Sequence, residues 1–154
     1  MAVVLGIRAD ATSVSWAAVE GPADQPVLAA TGTLHAPKTY SEDQTLAWVR
    51  TQLQMLMEQH HVTAVGIRAA EFSRFASDEP DRKRLRIEGV AMEAACAKGL
   101  RATSAILTNM SKALAIESAK PHVEKGTELR GLELKRLDRH HREAVLVAVA
   151  KLAE

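Results

Sequence analysis

The sequence predicts an α/β fold: a mixed five-stranded sheet, with its first three strands in a meander, flanked by helices. Two apolar runs near the N-terminus are separated only by Asp10-Ala11, which is short enough for a hairpin. Further along the chain, strand-like runs alternate with stretches of helical periodicity, as parallel crossover connections require. A chain of 154 residues has the size of one domain, so we expect residues 1–154 to form a single core.

The meander is predicted from three strands, at residues 2–9, 12–20 and 27–36. The first two runs are rich in β-branched residues, and the third follows the turn signal GPADQP. Strands joined by short turns pair antiparallel, so these three should lie side by side.

The first helix is predicted to begin at Ser41, where SEDQ matches a capping box, and to continue through Glu58. Its apolar residues recur at helical spacing and should lie on the sheet. A strand at residues 62–68 follows, and a strand reached through a helix is normally parallel to a neighbour in the same sheet. We expect that neighbour to be the first strand.

A second helix should begin near Pro80 and end before Gly99, which is suited to a C-terminal cap. Small residues are expected on its core side, among them Gly89, Ala91, Ala94, Ala95 and Cys96. A fifth strand is predicted at residues 101–107, followed by a helix at 110–119 that is capped by Thr108 or Asn109.

The C-terminal part begins with an irregular region, marked by Pro121 and Gly126. The last apolar run, EAVLVAVAKLA, contains valines that suit a strand, but its length and its alanines favour a buried helix. Asp138 lies upstream as a candidate helix cap. We therefore predict a final helix.

Composition limits the function classes. The formal net charge of +1 gives no global attraction to nucleic acid or membranes, and 3% aromatic residues leave few rings for stacking on bases. The single cysteine, Cys96, cannot form an internal disulfide, and the first 30 residues lack a signal-peptide profile, so a cytoplasmic location is expected. No apolar run approaches the roughly 20 residues of a membrane-spanning helix, and we expect no membrane association.

Several segments resemble one family in order and spacing. The segment VVLGIRADATSVSWAAVE resembles the opening of RuvC-type Holliday-junction resolvases, which have the RNase H-like fold. VTAVGIRAAEF resembles their fourth strand and HHREAVLVAVA their final helix. RIEGVAMEAACAKGL is also similar to a segment of a short, uncharacterised bacterial family thought to be RNase H-like. The resemblance implies an RNase H-like fold of the RuvC type.

The family's catalytic acids are missing at most of the matching positions. The resemblance implies metal-binding carboxylates, yet the first-strand aspartate falls on Arg8 and the fourth-strand glutamate on Arg68. The two helix acids fall near His140 and Glu143. An arginine has no acceptor and cannot ligate a metal, so we expect the familiar two-metal reaction to be absent and no cofactor to be needed.

Two alternatives remain for this region. In the first, the displaced carboxylates Asp10, Glu71 and Glu143 bind Mg²⁺ or Mn²⁺ and the protein is a nuclease. In the second, Arg8 and Arg68 end side by side near His140 and bind an anion such as phosphate. Neutralisation of the arginines by Glu143, Glu71 or Asp10 competes with this anion site, and we favour it because these acids lie nearby in the sequence.

The leading hypothesis is a binding or interaction module with a degenerate nuclease site and nucleic acid as its candidate ligand. A structural homodimer is a further alternative, since RuvC-type proteins commonly pair. The histidine pairs at 60–61 and 140–141 are interpreted as solvated helix ends, and the basic clusters at 81–86 and 134–142 as solvated faces.

Overall fold

The computed structural model describes residues 1–71 and 78–154. Residues 72–77, which include the last residue of the VTAVGIRAAEF segment, lie outside the described residues. The described strands are β1 (Val3–Ala9), β2 (Ser13–Glu20), β3 (Val27–His35), β4 (Ala64–Arg68) and β5 (Arg101–Ala105). The described helices are α1 (Glu42–Gln59), α2 (Glu79–Ala97), α3 (Leu107–Ala113), α4 (Lys120–Glu124) and α5 (Arg139–Leu152).

The strands form a five-stranded mixed sheet in the order β3-β2-β1-β4-β5. β1 pairs antiparallel with β2, and β2 pairs antiparallel with β3, which completes the meander. β4 runs parallel to β1, and β5 runs parallel to β4. The predicted fold class is confirmed, including the pairing of the fourth strand with the first.

The main differences from the predicted elements lie after β5. α3 begins at Leu107, so Thr108 and Asn109 lie inside its first turn instead of preceding it. Asn109 still helps to end the strand, because its Oδ1 accepts a hydrogen bond from the Ile106 backbone N–H at 3.0 Å. The region predicted as irregular contains the short helix α4. A single helical turn shows too little periodicity to stand out in the sequence.

Each face of the sheet carries its own apolar core, so the expectation of a single core is wrong. On one face, Leu5, Ile7 and Ile67 pack with the apolar sides of α1 and α2. On the other face, Val4 and Val19 pack with α3, α4 and α5. α5 is buried without interruption from residue 143 to residue 150, as expected for a helix enclosed on all sides. The prediction of a buried C-terminal helix is confirmed.

Two strand glycines allow α5 to lie directly on the sheet. A Cβ atom added to Gly6 would lie 1.9 Å from the backbone oxygen of Ala144, and one added to Gly66 would lie 2.8 Å from that of Val147. Both distances are shorter than any real contact of a Cβ atom. The start of α5 therefore lies against the ends of β1 and β4.

The prediction that Gly89 and Cys96 face the core is wrong, because both are exposed. The buried side of α2 runs through Ile87, Ala91 and Ala95. At 3.6 residues per turn, positions 89 and 96 fall on the opposite side of the helix. Among the described residues, no helix is both long enough and apolar enough to cross a membrane.

Candidate functional site

Arg8 and Arg68 lie side by side at the carboxyl ends of β1 and β4. The register pairs Ile7 with Ile67, which makes the two arginines the next residues along neighbouring parallel strands. Side chains alternate between the faces of a sheet, so both arginines point to the face that carries α5. Their side chains are only 12% and 7% exposed.

The carboxylate of Glu143, in the first turns of α5, lies between the two guanidinium groups. Arg8 Nε is 2.7 Å from Glu143 Oε2, and Arg68 Nε is 3.1 Å from Glu143 Oε1. Each arginine also donates from Nη1 to the backbone oxygen of the following residue, Ala9 at 2.5 Å and Ala69 at 2.6 Å. We call Arg8, Glu143 and Arg68 the Arg–Glu–Arg cluster; Glu143 is the acid that lies between the arginines.

The cluster keeps Glu143 ionised although its residue surface is only 2% exposed. Burial alone would raise the pKa of this carboxyl. The hydrogen bond from Arg8 and the charges of Arg8 and Arg68 outweigh burial, and they leave the pKa of Glu143 below its ordinary value. Both carboxylate oxygens of Glu143 accept hydrogen bonds, one from Arg8 and one from Arg68.

The other two acids proposed as displaced metal ligands lie at the margin of the cluster. Glu71 is 42% exposed, and its Oε2 is 2.8 Å from Arg68 Nη1. The Asp10 side chain is 50% exposed, and its Oδ1 accepts a hydrogen bond from the Ala11 backbone N–H at 2.9 Å. Glu71 thus balances charge at Arg68, while Asp10 stabilises the β1–β2 turn.

His140 lies in the first turn of α5, beside this edge of the sheet. Its Nδ1 lies 4.0 Å from Asp10 Oδ2, and its side chain is 36% exposed. Burial and the neighbouring charge of Arg8 lower the pKa of His140, and Asp10 and Glu143 offset these effects only in part. The lowered pKa favours the neutral imidazole, which can form hydrogen bonds at this edge without a positive charge.

Two residues of α2, Arg84 and Glu88, extend the cluster and were not identified from the sequence. Arg84 Nε is 3.2 Å from Glu88 Oε2, and the Ala70 backbone N–H donates to the same oxygen at 3.2 Å. Burial and the charge of Arg8 lower the pKa of Arg84, whereas burial raises the pKa of Glu88. Arg84 Nη2 is buried and has no hydrogen-bond partner among the described residues.

The interpretation of the second histidine pair as solvated is wrong for His141, whose side chain is 15% exposed. Its Nδ1 lies 2.8 Å from Asp138 Oδ1, and its Nε2 lies 2.9 Å from Thr33 Oγ1 and 3.0 Å from the Gly32 backbone oxygen. Asp138 also accepts from the His141 backbone N–H, so it caps α5 as predicted. This network ties the start of α5 to β3.

Comparison with solved structures identifies the architecture. RuvC from Thermus thermophilus has a TM-score of 0.78 at 19% identity, over 98% of this chain and 93% of that chain. T. thermophilus RuvC in complex with a Holliday junction substrate has a TM-score of 0.77 at 18% identity, over 99% and 94%. The yeast mitochondrial Holliday junction resolvase has a TM-score of 0.64 at 9% identity, over 99% and 79%.

This chain has the RuvC fold. No family model and no curated protein matches the sequence, so the relationship rests on three-dimensional structure. The sequence predicts the order of the elements, and the comparison shows that the likeness covers 98% of this chain and 93% of T. thermophilus RuvC.

The RuvC resemblance implies a divalent metal at this edge of the sheet, but the residues present do not fit one. Hard cations need several oxygen ligands held together, and the buried carboxylate here already accepts from two guanidinium groups. Within residues 1–71 and 78–154, no group of three or more histidine, cysteine, aspartate or glutamate side chains could hold a metal ion. The arrangement at this edge is an ion-pair network in which Glu143 and Glu71 balance the charges of Arg8 and Arg68.

Proposed function

We propose that this protein is a RuvC-fold binding module that uses the Arg–Glu–Arg cluster where the resemblance implies a metal centre. Its proposed ligand class is nucleic acid or another phosphate-bearing molecule. The observation that carries the proposal is that Glu143 lies between Arg8 and Arg68. The two arginines occupy the strand ends at which the resemblance implies metal-ligating acids. The proposed module binds its ligand without cleaving it.

The chemistry of arginine supports a phosphate-bearing ligand. A guanidinium group presents several donors in a planar fork that matches phosphate oxygens. Arg84 Nη2, which has no hydrogen-bond partner within residues 1–71 and 78–154, is such a donor, and it lies beside the cluster. One of the compared structures, T. thermophilus RuvC, is bound to a Holliday junction substrate, which makes branched DNA the first ligand to test.

The first experiment measures binding and cleavage of a labelled four-way DNA junction. We expect binding in EDTA and no cleavage in Mg²⁺ or Mn²⁺. Arg84→Gln should weaken binding severalfold, because it removes a donor at the sheet edge. The matched control is Arg101→Gln: Arg101 is exposed and pairs with Ala64 where β4 and β5 begin, at the opposite end of these strands from Arg68. Equal losses for the two variants would contradict a role for this edge.

The same assay separates binding from the nuclease alternative. Metal-dependent cleavage that disappears in Asp10→Asn and Glu71→Gln would show that displaced carboxylates catalyse the reaction, and the proposed binding module would be rejected. Both acids are at least 42% exposed, so the two substitutions should leave the fold intact.

A second experiment exchanges the arginines for the acids that the RuvC resemblance implies. Arg8→Asp/Arg68→Glu would place two new carboxylates beside Glu143, and we expect this variant to bind Mn²⁺ in calorimetric titration. Arg8→Gln/Arg68→Gln removes the same positive charges without adding ligands and serves as the control. Wild-type protein that binds Mn²⁺ as tightly as the acidic variant would contradict the proposal that the arginines replace a metal centre.

Homodimer formation is the second candidate function, and the exposed side of α2 favours it. Leu85 is 48% exposed and Met92 is 41% exposed, on the same side of the helix as Gly89 and Cys96. No atom lies within 4 Å of a Cβ added at Gly89, so a second helix could approach closely there. An apolar stripe of this kind is typical of the centre of an interface.

Concentration-dependent light scattering tests the homodimer, with Met92→Asp as the disrupting variant. A two-fold crossing at Gly89 brings residue 89 of one copy next to residue 89 of the other. In the Gly89→Cys/Cys96→Ser variant, oxidation should therefore form a covalent dimer. A monomer at every concentration, together with no cross-linking, would eliminate this candidate.

A further inference from the structure

A cavity of about 440 Å³ lies on the face of the sheet opposite the Arg–Glu–Arg cluster. It is bounded by the β1–β2 turn, the segment that follows β3, the first turns of α1, and α2. Leu46 and Ile87 form part of its wall, and both belong to the core between the sheet and these two helices. The cavity thus lies at an edge of the α1–α2 core, separate from α5.

Two lysines from distant parts of the chain line this cavity. Lys38 follows β3 and Lys83 lies in α2. Within the described residues, neither ammonium group has a hydrogen bond or an ion pair. Glu42 also lines the cavity, but its carboxylate is 2.5 Å from Arg86 Nη1. Lys83 lies close enough to Glu79 for its charge to lower the pKa of that carboxyl, but both ammonium groups keep their donors available to a ligand in the cavity.

The rest of the lining combines apolar and hydroxyl groups. Pro37 and Ile87 provide apolar surface, and Thr12 and Thr45 provide hydroxyls that can donate or accept hydrogen bonds. Tyr40 adds an aromatic ring that is 40% exposed. A volume of about 440 Å³ falls in the usual range of small-molecule sites. A ligand with an anionic group and an aromatic ring would contact the lysines, the hydroxyl groups and the apolar surface of this cavity.

We propose that this cavity binds a nucleoside monophosphate, either free or as the 5′-terminal nucleotide of a strand. The phosphate lies between Lys38 and Lys83, because compact ammonium groups bind phosphate as point charges. The sugar and base lie against Pro37 and Tyr40, since every base has a face that can stack on an aromatic ring. The proposed site does not depend on the function of the Arg–Glu–Arg cluster.

The binding of deoxyadenosine monophosphate, measured by isothermal titration calorimetry, tests this proposal. Lys38→Gln/Lys83→Gln should weaken binding by about tenfold or more. The control is Lys112→Gln/Lys125→Gln, which removes the same charge from two exposed lysines outside the cavity lining. We expect wild-type affinity from this control. No binding to wild-type protein, or equal losses in the two double variants, would overturn the proposal.

Further ligands separate the parts of the molecule that are recognised. Inorganic phosphate should bind more weakly than the mononucleotide, because it cannot contact the apolar wall; equal affinity would contradict recognition of the nucleoside. A 5′-phosphorylated single strand that binds more tightly than the free mononucleotide identifies a strand end as the ligand. The reverse order identifies a free nucleotide, and both orders support the site. Deoxyadenosine, which lacks the phosphate, should bind more weakly than deoxyadenosine monophosphate, and equal affinity of the two would overturn the site.

Discussion

At the scale of single residues, Glu143 determines the state of the sheet edge. Its carboxylate is buried and accepts from Arg8 and Arg68. A buried ion pair adds little net stability compared with apolar packing, because the charges lose their hydration. Removal of the shared carboxylate is costly all the same, since it leaves two neighbouring guanidinium groups buried without their common acceptor.

We predict that Glu143→Gln lowers the free energy of unfolding at pH 7 by about 3 kcal/mol, as expected when one member of a buried ionic cluster is removed. Urea denaturation measures the difference. Glu117→Gln is the control, since Glu117 is exposed. A loss in Glu143→Gln no larger than in this control would contradict a stabilising role for the cluster.

Glu143 should also make the free energy of unfolding depend on pH. The folded state holds the pKa of Glu143 below 4.5, the ordinary value for a glutamate side chain in the unfolded chain. Its stabilising contribution is therefore fully present above about pH 4.5 and is lost as the pH falls through the folded pKa. We expect the difference in unfolding free energy between wild type and Glu143→Gln to narrow as the pH falls below that value. A difference that stays constant on acidification would contradict this linkage.

At the scale of elements, the position of α5 controls the site. The helix contacts β1 and β4 where Gly6 and Gly66 leave room for its backbone, and its N-terminus is tied to β3 through His141. This packing of α5 on the sheet places Glu143 at the carboxyl ends of β1 and β4. Small changes in the strands should therefore displace the cluster even when they lie outside it.

We predict a graded series for alanine substitutions at three glycines. Gly6→Ala should destabilise the protein most, because its Cβ would meet the Ala144 backbone oxygen at 1.9 Å. Gly66→Ala should have a smaller effect, at 2.8 Å from the Val147 oxygen. Gly21→Ala is the control, since its nearest contact is the end of the Leu152 side chain at 3.3 Å. Thermal unfolding measures the order, and a Gly6→Ala protein as stable as Gly21→Ala would refute the close seating of α5.

The Asp138–His141 network predicts a second effect at this scale. Asp138→Ala removes the cap of α5 and a partner of His141, so we expect a loss of about 1–2 kcal/mol in unfolding free energy. Hydrogen exchange should become faster in the first turn of α5 and stay unchanged in α1. Equal increases in the exchange rates of α1 and α5 would indicate that the whole protein is destabilised, and would contradict a local effect on the start of α5.

At the scale of the whole molecule, the net charge of +1 gives little long-range attraction, so the proposed DNA binding would depend on local contacts. Each phosphate contact adds about one unit to the slope of log affinity against log salt. We predict that Arg84→Gln lowers this slope for junction DNA by about one, whereas Arg101→Gln leaves it unchanged. Fluorescence anisotropy from low to high salt measures the slope, and an unchanged slope for Arg84→Gln would remove this residue from the DNA interface.

The sheet could be predicted from sequence because its signals are local: β-branched runs, short turns and helical periodicity between strands. The close placement of Arg8, Arg68 and Glu143 was also accessible, since the resemblance aligned these strand ends with the last helix. Arg84 was missed because it lies in a basic run, and charge alone does not distinguish a buried arginine from a solvated one. The lysine-lined cavity was missed because Lys38 and Lys83 come together only through folding.

The Arg–Glu–Arg cluster has a consequence for the conditions under which this protein can act. A site made of carboxylates attracts phosphate only while divalent cations occupy it, so chelation reverses the sign of its field. Here Arg8 and Arg68, which do not deprotonate, are balanced by Glu143 and Glu71, and all four groups are covalent parts of the chain. The electrostatic character of this edge is therefore independent of metal supply and persists at metal concentrations too low to fill a carboxylate site.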